Sequence, residues 1–239
     1  MEDKRRYMKI REDKGQKNGG WLYFINRLMS SIFFCLLLST SFFFVSCSES
    51  DETSTEFEDW QTKNDAYFQE KYNSFLQEYK SLGEASTKLV IPAWSMPSET
   101  PLDGIAPTSC ILVEKVGNSD FLWTDNTPEY TDSVAVHYRG RLIPSPHYPE
   151  GYEFDRSYMS SDNFNLAVDV PARFKVNGNI LAGFSTALQH MHRGEGWIVT
   201  VPYQLGYGTT AQSVIPAYST LVFEIFLMDF WKKEKGDRY

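Results

Sequence analysis

The stretch that decides the fold is Val134-Ala-Val-His-Tyr-Arg-Gly-Arg-Leu142. Val134, Val136 and Tyr138 alternate with Ala135, His137 and Arg139, the period of two of a strand with two different faces. The same period returns in Trp197, Val199 and Val201, and again in Leu221, Phe223, Ile225 and Leu227. Cys110-Ile-Leu-Val113 adds a short apolar run of strand type. Between these lies one helical pattern, in which Leu181, Phe184, Leu188 and Met191 recur at spacings of three and four on one face, with Gly194 as the expected stop. Strands that outnumber one short helix predict an α+β domain, an antiparallel sheet curled over that helix.

Four further pieces of sequence stand at characteristic intervals around that strand. They are Phe154-Asp-Arg-Ser157, Asn179-Ile-Leu-Ala-Gly-Phe-Ser-Thr-Ala-Leu188 with Met191 beyond it, Val201-Pro-Tyr-Gln-Leu-Gly-Tyr-Gly208, and Ile215-Pro216 followed by Thr220-Leu-Val-Phe-Glu-Ile225. In this order they resemble the FKBP-type peptidyl-prolyl cis-trans isomerases. The resemblance covers roughly Thr108 to Phe230, about half of the chain, and implies that family's curled sheet over one helix.

The resemblance also implies a site. Phe184 matches the aromatic at the pocket floor, where the family commonly has Trp, and Tyr138, Phe154 and Phe223 match the walls. Asp155 matches a buried carboxylate that accepts hydrogen bonds, with Tyr138 as candidate donor. Ile180 and Leu181 match the segment whose backbone meets the ligand. Tyr207 matches a hydroxyl that reaches a bound carbonyl, and Ile215 the apolar lip of the following loop. Ala172 falls near another usual wall aromatic, Asn179 stands where a carboxylate is frequent, and the interval Ile143–Glu153 is longer than the usual turn. Taken as residues alone, Phe154, Phe184 and Phe223 would serve equally as core.

The chemistry implied needs no nucleophile, metal or cofactor. Rotating an X–Pro bond crosses an amide-resonance barrier of about 18–20 kcal/mol. The twisted amide is less dipolar than the planar one, so an apolar aromatic cup favours it relative to water. The partner expected is a proline-containing polypeptide. His190 and His192 lie two apart and point to different faces, a poor basis for a metal site. No Ser, His and Asp arrangement stands out as a triad, and no phosphate-binding glycine loop is present.

Outside this domain the chain changes character. Residues 1–27 are polar and basic, and Leu28–Val45 is an almost wholly apolar, uncharged run that stops at Ser46-Cys47. That is the layout of a secretory signal over residues 1–46. Phe44-Val45-Ser46-Cys47 resembles a bacterial lipobox, which makes Cys47 the expected lipid-bearing residue and implies a lipid-anchored protein of a Gram-negative cell envelope. The alternative is an uncleaved anchor, since eighteen apolar residues nearly span a bilayer. The acidic run from Ser48 to Glu52, within a tether over 47–55, is either a surface-export signal or a solvated spacer.

Residues 47–239 carry 15 Lys/Arg against 27 Asp/Glu, a net −12, which argues against nucleic acid as a partner. Thr55 and Glu58 form a capping-box pattern ahead of Phe57, Trp60, Tyr67, Phe68, Tyr72, Phe75, Tyr79 and Leu82, so an amphipathic helix is predicted over 56–82, ended by Gly83. Its aromatic stripe packs on the following domain, or serves as a homodimer arm or partner-binding helix. Residues 84–107, with Pro92, Pro97, Pro101 and Pro107, read as a linker or surface loop. The domain proper is expected over 108–231 and a charged tail over 232–239. With Cys35 in the leader and Cys47 lipidated, Cys110 stands alone as a small buried hydrophobe, and no intramolecular disulfide forms.

Overall fold

Seven strands form one antiparallel sheet, β1 (Lys88–Pro92), β2 (Cys110–Val116), β3 (Ser133–Leu142), β4 (Glu153–Arg156), β5 (Ala172–Lys175), β6 (Gly196–Val201) and β7 (Leu221–Trp231), with helices α1 (Trp60–Leu82) and α2 (Ala182–Leu188). A computed structural model of the chain describes residues 56–97, 100–116, 126–160 and 163–232, all within the unit Thr53–Tyr239. The expected leader over 1–46, Cys47, the tether with Thr55, and nearly all of the tail lie outside these residues. No helix among the described residues is long and apolar enough to cross a membrane.

The strand order is β1-β2-β6-β7-β3-β4, with β5 also on β3. β3 is the hinge of the arrangement. Along one edge it pairs with β7 over its whole length, and on the other it pairs with β5 through Ser133–Val136 and with β4 through Arg139–Arg141. A bulge between Gly140 and Arg141 leaves Phe154 unpaired on β4, which re-aims its ring.

The alternation read from the sequence sorts side chains onto two faces. On one, Ile111, Val113, Val134, Val136, Val199, Val201, Leu221, Ile225 and Leu227 close over Phe184, Ala187 and Leu188 of α2. On the other, Val90, Cys110 and Leu112 meet Phe68, Tyr72 and Phe75 of α1. The aromatic stripe of α1 is therefore spent on the sheet. α2 approaches closely because position 183 is glycine: a Cβ there would lie 2.3 Å from Cγ1 of Val201. Cys110 is fully buried, and burial pushes its thiol up to about 11, so it behaves as a packing residue.

Three local expectations change. The continuous helix starts at Trp60, because the chain turns at Phe57–Asp59 with Asp59 in the left-handed region (φ 52°), a conformation Asp tolerates. That turn sets Phe57 edge-on to Trp60, with ring centroids 5.0 Å apart. Gly83 ends α1 as expected, its N–H donating to the carbonyl of Tyr79. α2 ends earlier, at Leu188, and Gly194 (φ 87°) serves the turn into β6, its N–H donating to the Leu227 carbonyl. Within the segment read as loop from its prolines, Leu89, Val90 and Ile91 form edge strand β1. Pro92 is its last residue, where a missing N–H costs least.

α1 also fixes the loop before β7. Trp60 Nε1 donates to Ser219 Oγ at 2.8 Å, and the fully buried Asn64 accepts the Thr220 N–H through Oδ1 at 2.7 Å. At the helix's leading end the Glu56 carboxylate takes the His147 N–H and pairs with its ring. Burial pushes the Glu56 carboxyl up, but hydrogen bonds from Ser145 and His147 outweigh it and hold the group below the usual range. The long interval between β3 and β4 is thus tied to the residues leading into α1.

Candidate functional site

Five rings meet on the α2 side of β3. Phe184 rises from the helix and is only 5% exposed. Its ring is edge-on to Phe223 at 5.2 Å and to Tyr138 at 5.8 Å between centroids, and Phe174 of β5 stands 6.0 Å away. Phe174 meets Tyr138 at 5.8 Å, and Phe154 stands perpendicular to Phe223 at 5.7 Å. Edge-to-face packing of this kind holds rings rigidly and contributes beyond buried area alone. Tyr138, Phe154 and Phe174 keep part of their surface open, so the rings form a cup rather than a closed core.

Glycine makes room for one wall. A Cβ on Gly140 would lie 2.6 Å from the Phe154 ring and 2.9 Å from that of Phe223, so the bare backbone of β3 lets Phe154 lie over the strand.

The polar part of the cup is Tyr138 and Asp155. The Tyr138 hydroxyl donates to Asp155 Oδ2 at 2.7 Å. Burial, then the hydrogen bond to Asp155 and its charge, push the phenol far above its ordinary range, so it stays a donor. Burial and the charge of Asp155 also push the Tyr207 hydroxyl up. Tyr207 is 40% exposed at the far side of the turn closed by Gly208 N–H to the Tyr203 carbonyl at 2.8 Å.

The structure therefore brings Tyr138, Phe154, Asp155, Phe184 and Phe223 together. Two residues sit differently from expectation. Asp155 is exposed rather than buried, because β4 is the short outer strand beyond β3 and leaves its carboxylate in solvent. Ile215 is 6% exposed and belongs to the main core rather than to a lip, since the Gln212–Ile215 bridge folds it inward. Ile180 and Leu181 are half-buried against the same core, with Leu181 leading into α2 and its carbonyl accepting the Ser185 N–H at 2.9 Å.

One wall was missed from the sequence. Ala172 does leave its position without a ring, but Phe174, two residues on and hence on the same face of β5, supplies the aromatic. The alternation of Ala172, Arg173, Phe174 and Lys175 was the available signal. His190 Nδ1 lies 2.9 Å from the Thr186 carbonyl and His192 faces Glu195, each engaged within its own turn. Among the described residues no group of three or more His, Cys, Asp or Glu side chains gathers to hold a metal.

Residues 124–228 match the family described as FKBP-type peptidyl-prolyl cis-trans isomerase, a stretch that holds every residue of the cup. It is similar to the FKBP-type 22 kDa peptidyl-prolyl cis-trans isomerase of Escherichia coli (strain K12), 40% identical over 103 residues, 43% of this chain and 43% of that protein. It is similar also to the FKBP-type isomerase FkpA of the same strain, 32% identical over 110 residues, 46% of this chain and 35% of that one. The isomerase FKBP9 of Mus musculus is 31% identical over 147 residues, 61% of this chain and 23% of that protein. The chain thus spans less than half the length of these relatives. A crystal structure of a peptidyl-prolyl cis-trans isomerase from Pseudomonas syringae pv. tomato str. DC3000 aligns with TM-score 0.42 and 24% identity, over 70% of this chain and 94% of that one.

Proposed function

We propose that this chain is a peptidyl-prolyl cis-trans isomerase that assists the folding of exported or surface proteins. The observation that carries the reading is the cup itself: five edge-packed rings around a tyrosine hydroxyl held by a carboxylate. Uncatalysed X–Pro rotation takes tens to hundreds of seconds. A planar amide entering the cup loses hydration of its polar carbonyl, whereas the twisted amide, with less charge separation, loses less. The rings therefore favour the transition state by desolvation and shape, without bond making or proton transfer. Tyr207 supplies a hydroxyl donor for a client carbonyl, while the Tyr138 hydroxyl, whose single proton goes to Asp155, holds that carboxylate beside the cup.

A protease-free isomerisation assay on proline tetrapeptides tests this. We expect acceleration by the full chain, weakened in Asp155→Ala and Tyr207→Phe. A folded protein that gives no acceleration rejects it. A second reading, a module that grips proline-containing or unfolded segments without turnover, is favoured by the exposure of Asp155 and Tyr207, since hydrogen bonds standing in water contribute less than those in a dry site. Peptide binding without acceleration would select it.

The setting we propose is the cell envelope, with a lipid on Cys47 anchoring the chain to a membrane, as the apolar run before Cys47 supports. Detergent-phase partitioning that Cys47→Ser leaves unchanged would remove the lipid anchor. Because the aromatic stripe of α1 lies on the sheet, a homodimer through residues 56–82 would have to use the helix's polar face, and sedimentation of the full chain over a dilution series tests that arrangement.

A further inference from the structure

Ten large apolar side chains are exposed among the described residues, and the four most exposed all fall in the loop between β4 and β5: Met159 at 90%, Val170 at 77%, Val168 at 71% and Leu166 at 65%. Apolar residues scattered singly over a surface need no explanation, but a cluster does. The described residues of this loop, 157–160 and 163–171, are also built rather than slack. The Asp169 carboxylate accepts the Met159 N–H at 3.1 Å, the Ser160 hydroxyl at 3.2 Å and the Asn165 N–H at 2.7 Å. The Asn165 carbonyl accepts the N–H groups of Val168 and Asp169. Phe164 stacks on the buried His137 ring at 4.4 Å and meets Phe226 edge-on at 4.9 Å, while Tyr158 is 5% exposed beside them. Closing over His137 uses Phe164 and Tyr158. The four outward side chains add nothing to that closure.

We infer that this loop is a ledge for the unfolded client chain, on which apolar client residues a few positions from the proline settle against Met159, Leu166, Val168 and Val170. The inference rests on the isomerase reading and names its substrate class, long non-native polypeptides in preference to short peptides. Connectivity supplies the argument for this occupant. The loop leaves the cup at Asp155 and returns to it at Phe174, so Met159 and Val170 each lie four residues from a cup residue. At about 3.3–3.6 Å per residue that is within roughly 14 Å of the cup, a span that four or five residues of extended client cover. A held loop presents its apolar side chains without a large ordering cost on binding. A second copy of this chain fits less well: four aliphatic side chains offer on the order of a few hundred Å², short of the about 800 Å² per partner of a stable interface.

The test is the full chain against a variant carrying Met159→Gln, Leu166→Gln, Val168→Thr and Val170→Thr, all at solvent-exposed positions. Two quantities are read, kcat/KM on a proline tetrapeptide and the affinity for a reduced, carboxymethylated, proline-containing polypeptide followed by fluorescence anisotropy. We expect an unchanged tetrapeptide kcat/KM and about tenfold weaker polypeptide binding. Unchanged polypeptide binding overturns the ledge, as does a parallel loss of both quantities, which would make the loop a support of the cup. Self-association of the parent chain that the substitutions abolish, with polypeptide binding intact, makes the surface a contact between copies and also overturns it. Absence of tetrapeptide turnover in the parent chain removes the isomerase reading alone, because the polypeptide affinities still decide the ledge.

Discussion

The two faces of β3 are treated in opposite ways. Toward α2, the strand carries Val134, Val136 and Tyr138, and the rings of Tyr138 and of Phe174 beside it are left partly open. Toward the other side it carries Ala135, His137 and Arg139, and there the chain closes over polar groups. His137 is 1% exposed beneath Phe164, and Arg139 makes two hydrogen bonds to the Glu224 carboxylate across β7, at 2.9 and 2.7 Å. An ordinary fold hides apolar rings and leaves charges in water. Here one strand does the reverse on each side, and the face with the open rings is the one that can take a ligand.

Removing the floor should have the largest effect. Phe184→Ala deletes a buried ring touching Tyr138, Phe174 and Phe223, and should cost about 3–5 kcal/mol in urea unfolding while eliminating tetrapeptide turnover. A cost below about 1 kcal/mol would mean the cup is not one packed unit. Next comes Gly140→Ala, whose added methyl would overlap Phe154 and Phe223. We expect about 1–3 kcal/mol of destabilisation from overpacking, together with reduced peptide affinity, because Phe154 must leave its place. Affinity unchanged from the parent would show that Phe154 is not a wall. Smaller again is Tyr138→Phe, which keeps the ring and removes only the donor to Asp155. Losing one such hydrogen bond is worth about 0.5–1.5 kcal/mol, or roughly 2- to 12-fold in kcat/KM on a tetrapeptide, with the Tm nearly unchanged. An equal fall in stability and rate would turn the hydroxyl into a structural group.

The same contrast explains what could be read in advance. The sheet was legible because the period of two in residues 134–142, 197–201 and 221–227 is uninterrupted and each strand pairs with long partners. β1 was hidden by Pro92, since a proline announces a loop and nothing in one sequence says that it stands on an edge. The cup residues came from motif and order, and Phe174 was overlooked because the ring is displaced by two positions from the expected one. Such a displacement preserves the face of a strand but breaks a positional match. The solvent exposure of Asp155 was beyond reach: it depends on β4 being short and outermost, a fact of topology rather than of composition. The closing of Phe164 over His137 was equally invisible, as it joins residues 27 positions apart through a loop without periodic pattern.

That closed face yields the smallest effect and the one whose sign is least ambiguous. Burial pushes the His137 imidazole below its ordinary value, with the charge of Asp169 partly opposing. In the unfolded chain the ring titrates near ~6.5. As pH falls, the unfolded state takes up its proton first, so the stability contributed by keeping the ring neutral is complete above ~6.5 and declines as pH falls from there through the lower folded value. Urea unfolding of the parent and of His137→Phe at pH 7.5, 6.5 and 5.5 isolates this contribution, because the other histidines are common to both chains. The phenyl ring can still stack on Phe164 but cannot protonate. The parent should therefore lose stability relative to the variant as the pH is lowered. Parallel slopes across that interval would mean that His137 accepts a proton without disturbing the loop, and the outer face of β3 would then be no more tightly closed than the cup.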